Sequence, residues 1–395
     1  VLRDMTKTNW HTIQIKSLTY HSTVPVTEPV NVTASVLGEN NATVWQRDNN
    51  GGNWGNQYLG TSDGWEQWQA APGTLNNRLM YRTAKLPAGK YTVKALVNAL
   101  QQDGGTATDQ NVDFYVQSGS DIQKVNCYGD FTARELEIEL PSAADVEIGI
   151  RAYAPATVNW VAQKNLRIIT SSYSTLEDFE AAYAPLKLAN AYASLETAYN
   201  NALAKLDDEG KAAFNEAAAQ IKAALDGKTY TTEAEINQAI KDLQPMLVAA
   251  AYYADGEDMT SLIVNAQVKD KTGWETPRTN ANQQYTGAPD NTYFDFWNNS
   301  EGIDKTSQKV SLPAGTYTLM AATRSSAGEE GKIYAIVGET EFSAPIFVEG
   351  AEGGQLGGGW SVTKVKDIVV PVEQEVEIGF YCPTPDQAWA GADDF

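Results

Sequence analysis

The chain has 395 residues, with 29 basic and 50 acidic side chains. The resulting formal charge of −21 opposes approach to nucleic acid and to anionic membranes. The length exceeds the roughly 250–300 residues at which a single core stops growing, so two or three domains are expected, and nowhere do eighteen apolar residues run together as a membrane span requires.

Residues 1–24 contain NWHTIQIKSLTYH, loosely similar to WVAQKNLRII at 160–169, and are either the tail of a preceding copy or a first strand. From 25 to 172 the pattern is β. Within it RDNNGGNWGNQYLGTSDGWEQWQ (47–69) holds Trp54, Trp65 and Trp68 among Gly, Asn and Gln. These rings either fold back onto a core or wait for something flat to stack on them. LPAGKYTV (86–93) supplies a tight turn followed by a β-branched and aromatic run, and the segments 91–97 and 135–140 alternate with period two. Residues 173–254 then turn rich in Ala, Leu, Glu and Lys. Phe214, Ala218, Ile221 and Leu225 recur at helical spacing, Thr232 with Glu235 forms a capping box, Gly227 marks a stop, and Pro185 and Pro245 start or kink their helices. Three helices in a small antiparallel bundle are expected.

Residues 255–395 repeat the first β segment. LPAGTYTL (312–319) follows LPAGKYTV, EVEIGF (375–380) follows DVEIGI (145–150), Trp389 follows Trp160, and the closing DDF sits where NLRI stood. Four landmarks in the same order, at offsets between 226 and 230, mark two copies of one module. Short strands and turn-rich links without interleaved helices predict β-sandwiches. The expected fold is therefore mainly β with an α domain: two jelly-roll β-sandwich modules flanking a three-helix bundle.

Catalytic motifs are missing. His11 and His21 both precede the repeated modules, so neither a Ser/His/Asp triad nor a HExxH zinc site assembles from a module's own histidines. GGQLGGGW (353–360) lacks the strand-then-helix context and the lysine of a phosphate loop. Cys127 and Cys382 show no CxxC or Cys/His spacing and read as core thiols. Fifty acidic residues always supply some close carboxylate pair, yet a glycosidase usually builds a deep cleft on a larger catalytic domain.

DMTSLIVNAQVKDKTGW (258–274), SLPAGTYTLMAA and EVEIGFYCPTPDQAWAGADDF resemble the galactose-binding-like β-sandwich modules of secreted and surface proteins of polysaccharide-degrading bacteria. LMYRTAKLPAGKYTVKA in the first copy is similar to the same strand and turn, and the helical middle resembles the spacer repeats between such modules. The resemblance implies a non-catalytic carbohydrate-binding protein, secreted or at the cell surface, with further modules of the same polypeptide as candidate neighbours. The alternative is a structural or adhesive segment that binds a protein partner. No cofactor is implied beyond a structural calcium, for which Asp393 and Asp394 offer hard oxygen ligands.

Trp45 and Trp274 near the start of each module, and Trp160 and Trp389 near the end, read as shared core positions. Of Trp65, Trp68, Phe294, Phe296 and Trp297, half are expected inside. Trp54 and Trp360 differ because Gly-rich loops surround them; exposure for ligand stacking and burial stay open for both. A pyranose lays its C–H face on an indole and needs planar amide and guanidinium partners for its hydroxyls. Arg47, Asn53, Asn56 and Gln57 would serve Trp54, and Arg278, Asn280 and Gln283 would serve Trp360. Residues 255–395 carry 9 basic and 22 acidic side chains, a balance of −13, so the expected ligand is a neutral glycan.

Overall fold

A computed structural model of the protein describes residues 28–38, 44–48, 52–56, 59, 63–70, 77–101, 111–153, 157–276, 292–297, 302–326, 331–348, 354–384 and 389–395. Residues 1–24 thus lie outside the described residues. The chain forms two compact units, Val1–Leu186 and Lys187–Phe395. Their division falls inside a helix, not at residues 173 and 254 where the composition changes.

Along the first unit run β1 (Val30–Asn31), the short helix α1 (Thr33–Leu37), β2 (Asn53–Gly55), β3 (Gly64–Trp68), β4 (Asn77–Leu86), β5 (Gly89–Leu100), β6 (Val112–Ser118), β7 (Asp121–Asn126), β8 (Gly129–Leu140), β9 (Ala144–Ala152) and β10 (Trp160–Thr170). One sheet has the order β2-β3-β10-β5-β8, with β1 also on β10; the other has β4-β9-β6-β7. Period-two alternation makes β5 two-faced. Tyr91, Val93, Ala95, Val97 and Ala99 join the core between the sheets, each buried Val there contributing roughly 1.5–3 kcal/mol. Asn98 and Leu100 fall on the opposite, outward face.

The second unit carries the helices and the second sandwich. Its strands are β11 (Phe294–Trp297), β12 (Gly302–Leu312), β13 (Gly315–Ser325), β14 (Lys332–Val337), β15 (Thr340–Pro345), β16 (Ser361–Val370), β17 (Gln374–Thr384) and β18 (Trp389–Asp393). They pair as β11-β18-β13-β16 and β12-β17-β14-β15, the order of β3-β10-β5-β8 and β4-β9-β6-β7 in the first unit. The sequence repeat is thus a repeat of topology. Tyr91 Oη donates to the carbonyl of Pro87 and Tyr317 Oη to that of Pro313, both at 2.9 Å. The glycine of each VEIG motif is also required. A Cβ on Gly149 would stand 2.3 Å from the Met80 carbonyl oxygen, and one on Gly379 would stand 2.4 Å from that of Thr306.

Helices α2 (Leu176–Ala204), α3 (Asp208–Ala217), α4 (Ala219–Gly227) and α5 (Glu233–Ala251) replace the three expected, because the middle helix breaks at Ala218, whose φ and ψ are −91° and 9°. The Thr232–Glu235 capping box forms as the sequence indicates. Termination comes one residue past Gly227, where Lys228 takes a left-handed φ of 51°. Pro185 and Pro245 lie inside α2 and α5. In the first unit, Phe179, Tyr183 and Leu186 of α2 pack on the sandwich core. From Tyr192 onward the helices build their own core with Leu195, Phe214, Ile236 and Leu247, and Val362, Met320 and Leu356 of the second sandwich belong to it. Within this unit the helices cover a sheet face.

Ion pairs fix this docking. Lys364 reaches Asp207 at 3.2 Å, and Lys366 reaches Asp207 at 2.8 Å and Glu209 at 2.9 Å. Asp207 is also the N-cap of α3, accepting from the Gly210 N–H at 2.8 Å. Burial alone would raise its carboxyl, but the bonds from Lys366, Gly210 and Lys364 outweigh this and hold it at about 2. Cys127 and Cys382 are buried thiols outside any disulfide, and burial pushes the Cys127 thiol up to about 12.

Asp207→Ala removes a cap and two cation partners at once. At pH 7 it should destabilise the second unit by roughly 0.5–2 kcal/mol, as measured by urea unfolding. The carboxyl lies lower in the folded state than its unfolded value of about 3.9. Its stabilisation is therefore complete above that value and lost as pH falls through about 2, so the difference between wild type and variant should shrink between those limits.

Candidate functional site

The Gly-rich stretch around Trp54 forms β2, the edge strand. Register places Trp54 opposite Gln67, Gln67 opposite Val161, and Val161 opposite Ala99, the row that faces the core. Its half-buried ring meets buried Trp65 edge-on, with centroids 5.7 Å apart and planes at 72°. The Arg47 guanidinium stands 4.7 Å from the Trp54 ring centre, and burial lowers its pKa. Arg47 and Trp54 do meet, but they engage each other, and the ring leans inward. Asn53 is exposed, Asn56 is half-buried, and Gln57 lies outside the described residues.

Of the two alternatives open for Trp360, the structure has burial: the ring is 0% exposed, so it is not a stacking platform as the candidate site had it. Gly357, Gly358 and Gly359 have φ of 85°, 59° and 84°, a left-handed turn that folds the indole down onto the sheet. There it packs edge-on to Tyr293 with centroids 5.2 Å apart, and a Cβ at Gly391 would stand 2.9 Å from its ring. Glycine signalled the turn, and only packing decided where the ring went. Arg278, Asn280 and Gln283 lie outside the described residues.

Among the described residues, no further acidic, His or Cys side chain joins Asp393 and Asp394 in a metal-binding group. Asp393 is 1% exposed, and its Oδ1 accepts the Asp394 N–H at 2.8 Å. Among the described residues no three His, Cys, Asp or Glu side chains come together as a metal would need. Two adjacent carboxylates fall well short of the six to eight oxygens calcium takes.

A different constellation emerges on the outward face of the first sandwich. Asn53, Trp68, Trp160 and Leu100 form one row across β2, β3, β10 and β5; Gly55, Glu66, Ala162 and Asn98 form the next. Trp68 and Trp160 are direct cross-strand partners, and both are half-buried. Trp160 Nε1 donates to Glu66 Oε2 at 2.9 Å. Phe131 meets Trp160 edge-on, with centroids 6.2 Å apart, and the Lys164 ammonium lies 4.1 Å above the Phe131 ring. Asn98 is fully buried, and neither of its side-chain amide atoms has a hydrogen-bond partner. An unpaired buried amide costs about 1–3 kcal/mol, which a ligand hydroxyl would recover.

Two indoles side by side thus offer an apolar strip; the Glu66 carboxylate and the Asn98 amide of the neighbouring row are buried, and the Lys164 ammonium lies on the same face. These rows hold one carboxylate, not the pair that glycoside hydrolysis uses. Recurrence alone had assigned Trp160 to the core. The readable signal was alternation: with Val161 inward, Trp160 must point out. Register repeats the pattern in the second sandwich, where Trp297 pairs with Trp389, and Asp295, Gly391 and Arg324 follow in the next row.

No family model and no curated protein matches the chain. Solved structures similar to it include TmCBM61 in complex with β-1,4-galactotriose, at 17% identity and a TM-score of 0.29, covering 33% of this chain and 94% of that one. Another is the N-terminal CBM22-1–CBM22-2 tandem of Paenibacillus barcinonensis Xyn10C, at 8% identity and a TM-score of 0.24, covering 91% and 95%. The tandem CBM51 modules of Streptococcus pneumoniae Sp3GH98 match at 8% identity and a TM-score of 0.20, covering 84% and 83%. The sandwich architecture itself rests on strand order and register.

Burial separates the tryptophans by the cost of truncation. Trp360→Ala and Trp65→Ala should each cost about 3–5 kcal/mol, the range for buried aromatics, and half-buried Trp54→Ala should cost less than either. Thermal and urea unfolding of the three variants would test that order; a near-zero cost for Trp360→Ala would contradict it.

Proposed function

We propose that the chain is a non-catalytic carbohydrate-binding protein of the secreted or surface-attached class, and that the outward face of its first sandwich takes a neutral glycan. The Trp68–Trp160 pair beside Glu66 and Asn98 carries this reading. An indole strip accepts the C–H faces of successive pyranoses, while a carboxylate and an amide accept and donate to their hydroxyls. The single carboxylate supports binding over hydrolysis. The charge of −21 disfavours sulfated or uronic polymers, whose many charges would meet a repulsive field at low salt.

A structural role fits the second sandwich better. Met320, Val362 and Lys364 on its outward face are engaged by α3 and the other helices, whereas the matching Lys94 and Glu135 of the first sandwich stay about half exposed. This copy serves as the base on which the helices sit.

An array of neutral and acidic glycans, probed with the intact protein, tests the reading. Neutral oligosaccharides should bind, and Trp68→Ala or Trp160→Ala should each weaken binding by at least about 0.5–1.5 kcal/mol, the worth of one aromatic contact beyond its buried area. Binding of no neutral glycan by the folded protein would favour the structural or adhesive alternative. Salt-sensitive binding of heparin or pectin that Trp68→Ala or Trp160→Ala weakens would overturn the neutral-ligand assignment.

A further inference from the structure

The first sandwich has a cavity on the other side of the sheet that carries Trp68 and Trp160. A cavity of about 400 Å³ opens beside α1, with Asn31, Ala34 and Gly38 at its exposed rim and Trp45, Arg82 and Gln163 among its buried lining. Gln163 belongs to the row of Val97 and Trp65, both core residues, so it points between the sheets and away from the indole strip.

Its lining is chemically unusual for a sandwich interior. Arg82 is 6% exposed; its Nη2 donates to the Leu37 carbonyl at the end of α1, and its guanidinium lies 5.2 Å from the centre of the Trp45 ring. Among the described residues no carboxylate pairs with it. Asp63, which also lines the cavity, is matched to Arg167 at 3.6 Å. Burial lowers the Arg82 guanidinium to about 10, and among the described residues no acid opposes this. Gln163 is 2% exposed, and neither its amide nitrogen nor its amide oxygen has a hydrogen-bond partner. A buried cation without a counter-ion and a buried amide without a partner each carry a desolvation cost. Both penalties fall in the same space, and one ligand bearing a negative and a polar group would relieve both.

We propose that this cavity binds a small carboxylate ligand of hexuronate size. The carboxylate pairs with the forked guanidinium of Arg82, a hydroxyl meets the Gln163 amide, and Trp45 forms an apolar wall. Pockets of about 300–1,000 Å³ take ligands of this class, and the cavity lies at the low end of that range. The overall negative charge does not forbid such a ligand. Screening confines exposed charges to about 8 Å at physiological salt, and among the described residues lining the cavity the balance of Arg82, Arg167 and Asp63 is positive. A polyanion meets the whole field; a single carboxylate meets Arg82.

The test titrates the intact protein with D-glucuronate and, separately, with D-glucose, by calorimetry and by thermal shift. Glucuronate should bind saturably and raise Tm, and glucose should do neither. Arg82→Gln should weaken glucuronate binding at least about tenfold, the order of one charge-assisted hydrogen bond, with glycan binding at the outward face as a check on folding. If Arg82→Gln fails to fold, Gln163→Leu decides, since an apolar side chain suits that inward row and should still weaken binding severalfold. Absence of saturable glucuronate binding, equal binding of glucose, or unchanged affinity in a folded Arg82→Gln or Gln163→Leu variant would overturn the proposal.

Discussion

Each sandwich depends on one corner. Where β4 leaves one sheet and β5 enters the other, Pro-Ala-Gly turns the chain and Tyr91 Oη closes it by bonding the Pro87 carbonyl. Tyr317 and Pro313 do the same between β12 and β13. This bond fixes where the new strand begins, and in a strand of period two that choice decides every later side chain. A slip of one residue at Gly89 would carry Val93, Val97 and Ala99 out to solvent and bring Asn98 into the core. The outward row of Trp68 and Trp160 exists because that slip is prevented, since both read their register through β10 from β5.

Having fixed two equivalent faces, the chain uses them differently. In the second unit, Val362 is larger than the Ala133 it matches and Met320 is apolar where the first unit has Lys94, and the helices cover both. Charge follows the same division. Lys364 and Lys366 meet the acidic start of α3, with Asp207 serving both as helix cap and as ion-pair acceptor. One carboxylate in two roles couples helix formation to docking, so the helices gain order and a base together.

Among the described residues, the first sandwich departs from ordinary interior chemistry at Asn98 on the outward side, and at Arg82, Gln163 and the Trp65 indole nitrogen on the inward side. Buried polar groups in native proteins are nearly always satisfied, and clusters of exceptions mark functional positions more often than packing errors. The apolar rows of the core supply the stability that tolerates them.

Sequence alone determined the repeat, the β pattern of each copy, the helical middle and the Thr232 cap, because these rest on local periodicity and turn chemistry that neighbouring residues specify. It also showed that no histidine-based catalytic set fits within a module, a matter of counting. The fate of each tryptophan was not legible in the same way. Gly-rich flanks left exposure and burial open for Trp54 and Trp360, and a left-handed glycine turn and an edge-strand register turned both inward. Trp160 looked like core, yet it faces out beside Trp68, ninety-two positions earlier in the chain. Such pairings are set by which strands lie side by side, a contact between distant segments that carries no local signature. The break at Ala218, the covering of the second sandwich by helices, and the meeting of Arg82 with Gln163 were likewise decided by tertiary packing. In each case a residue's surroundings come from chain far away in sequence, and burial, not composition, fixed what the side chain does.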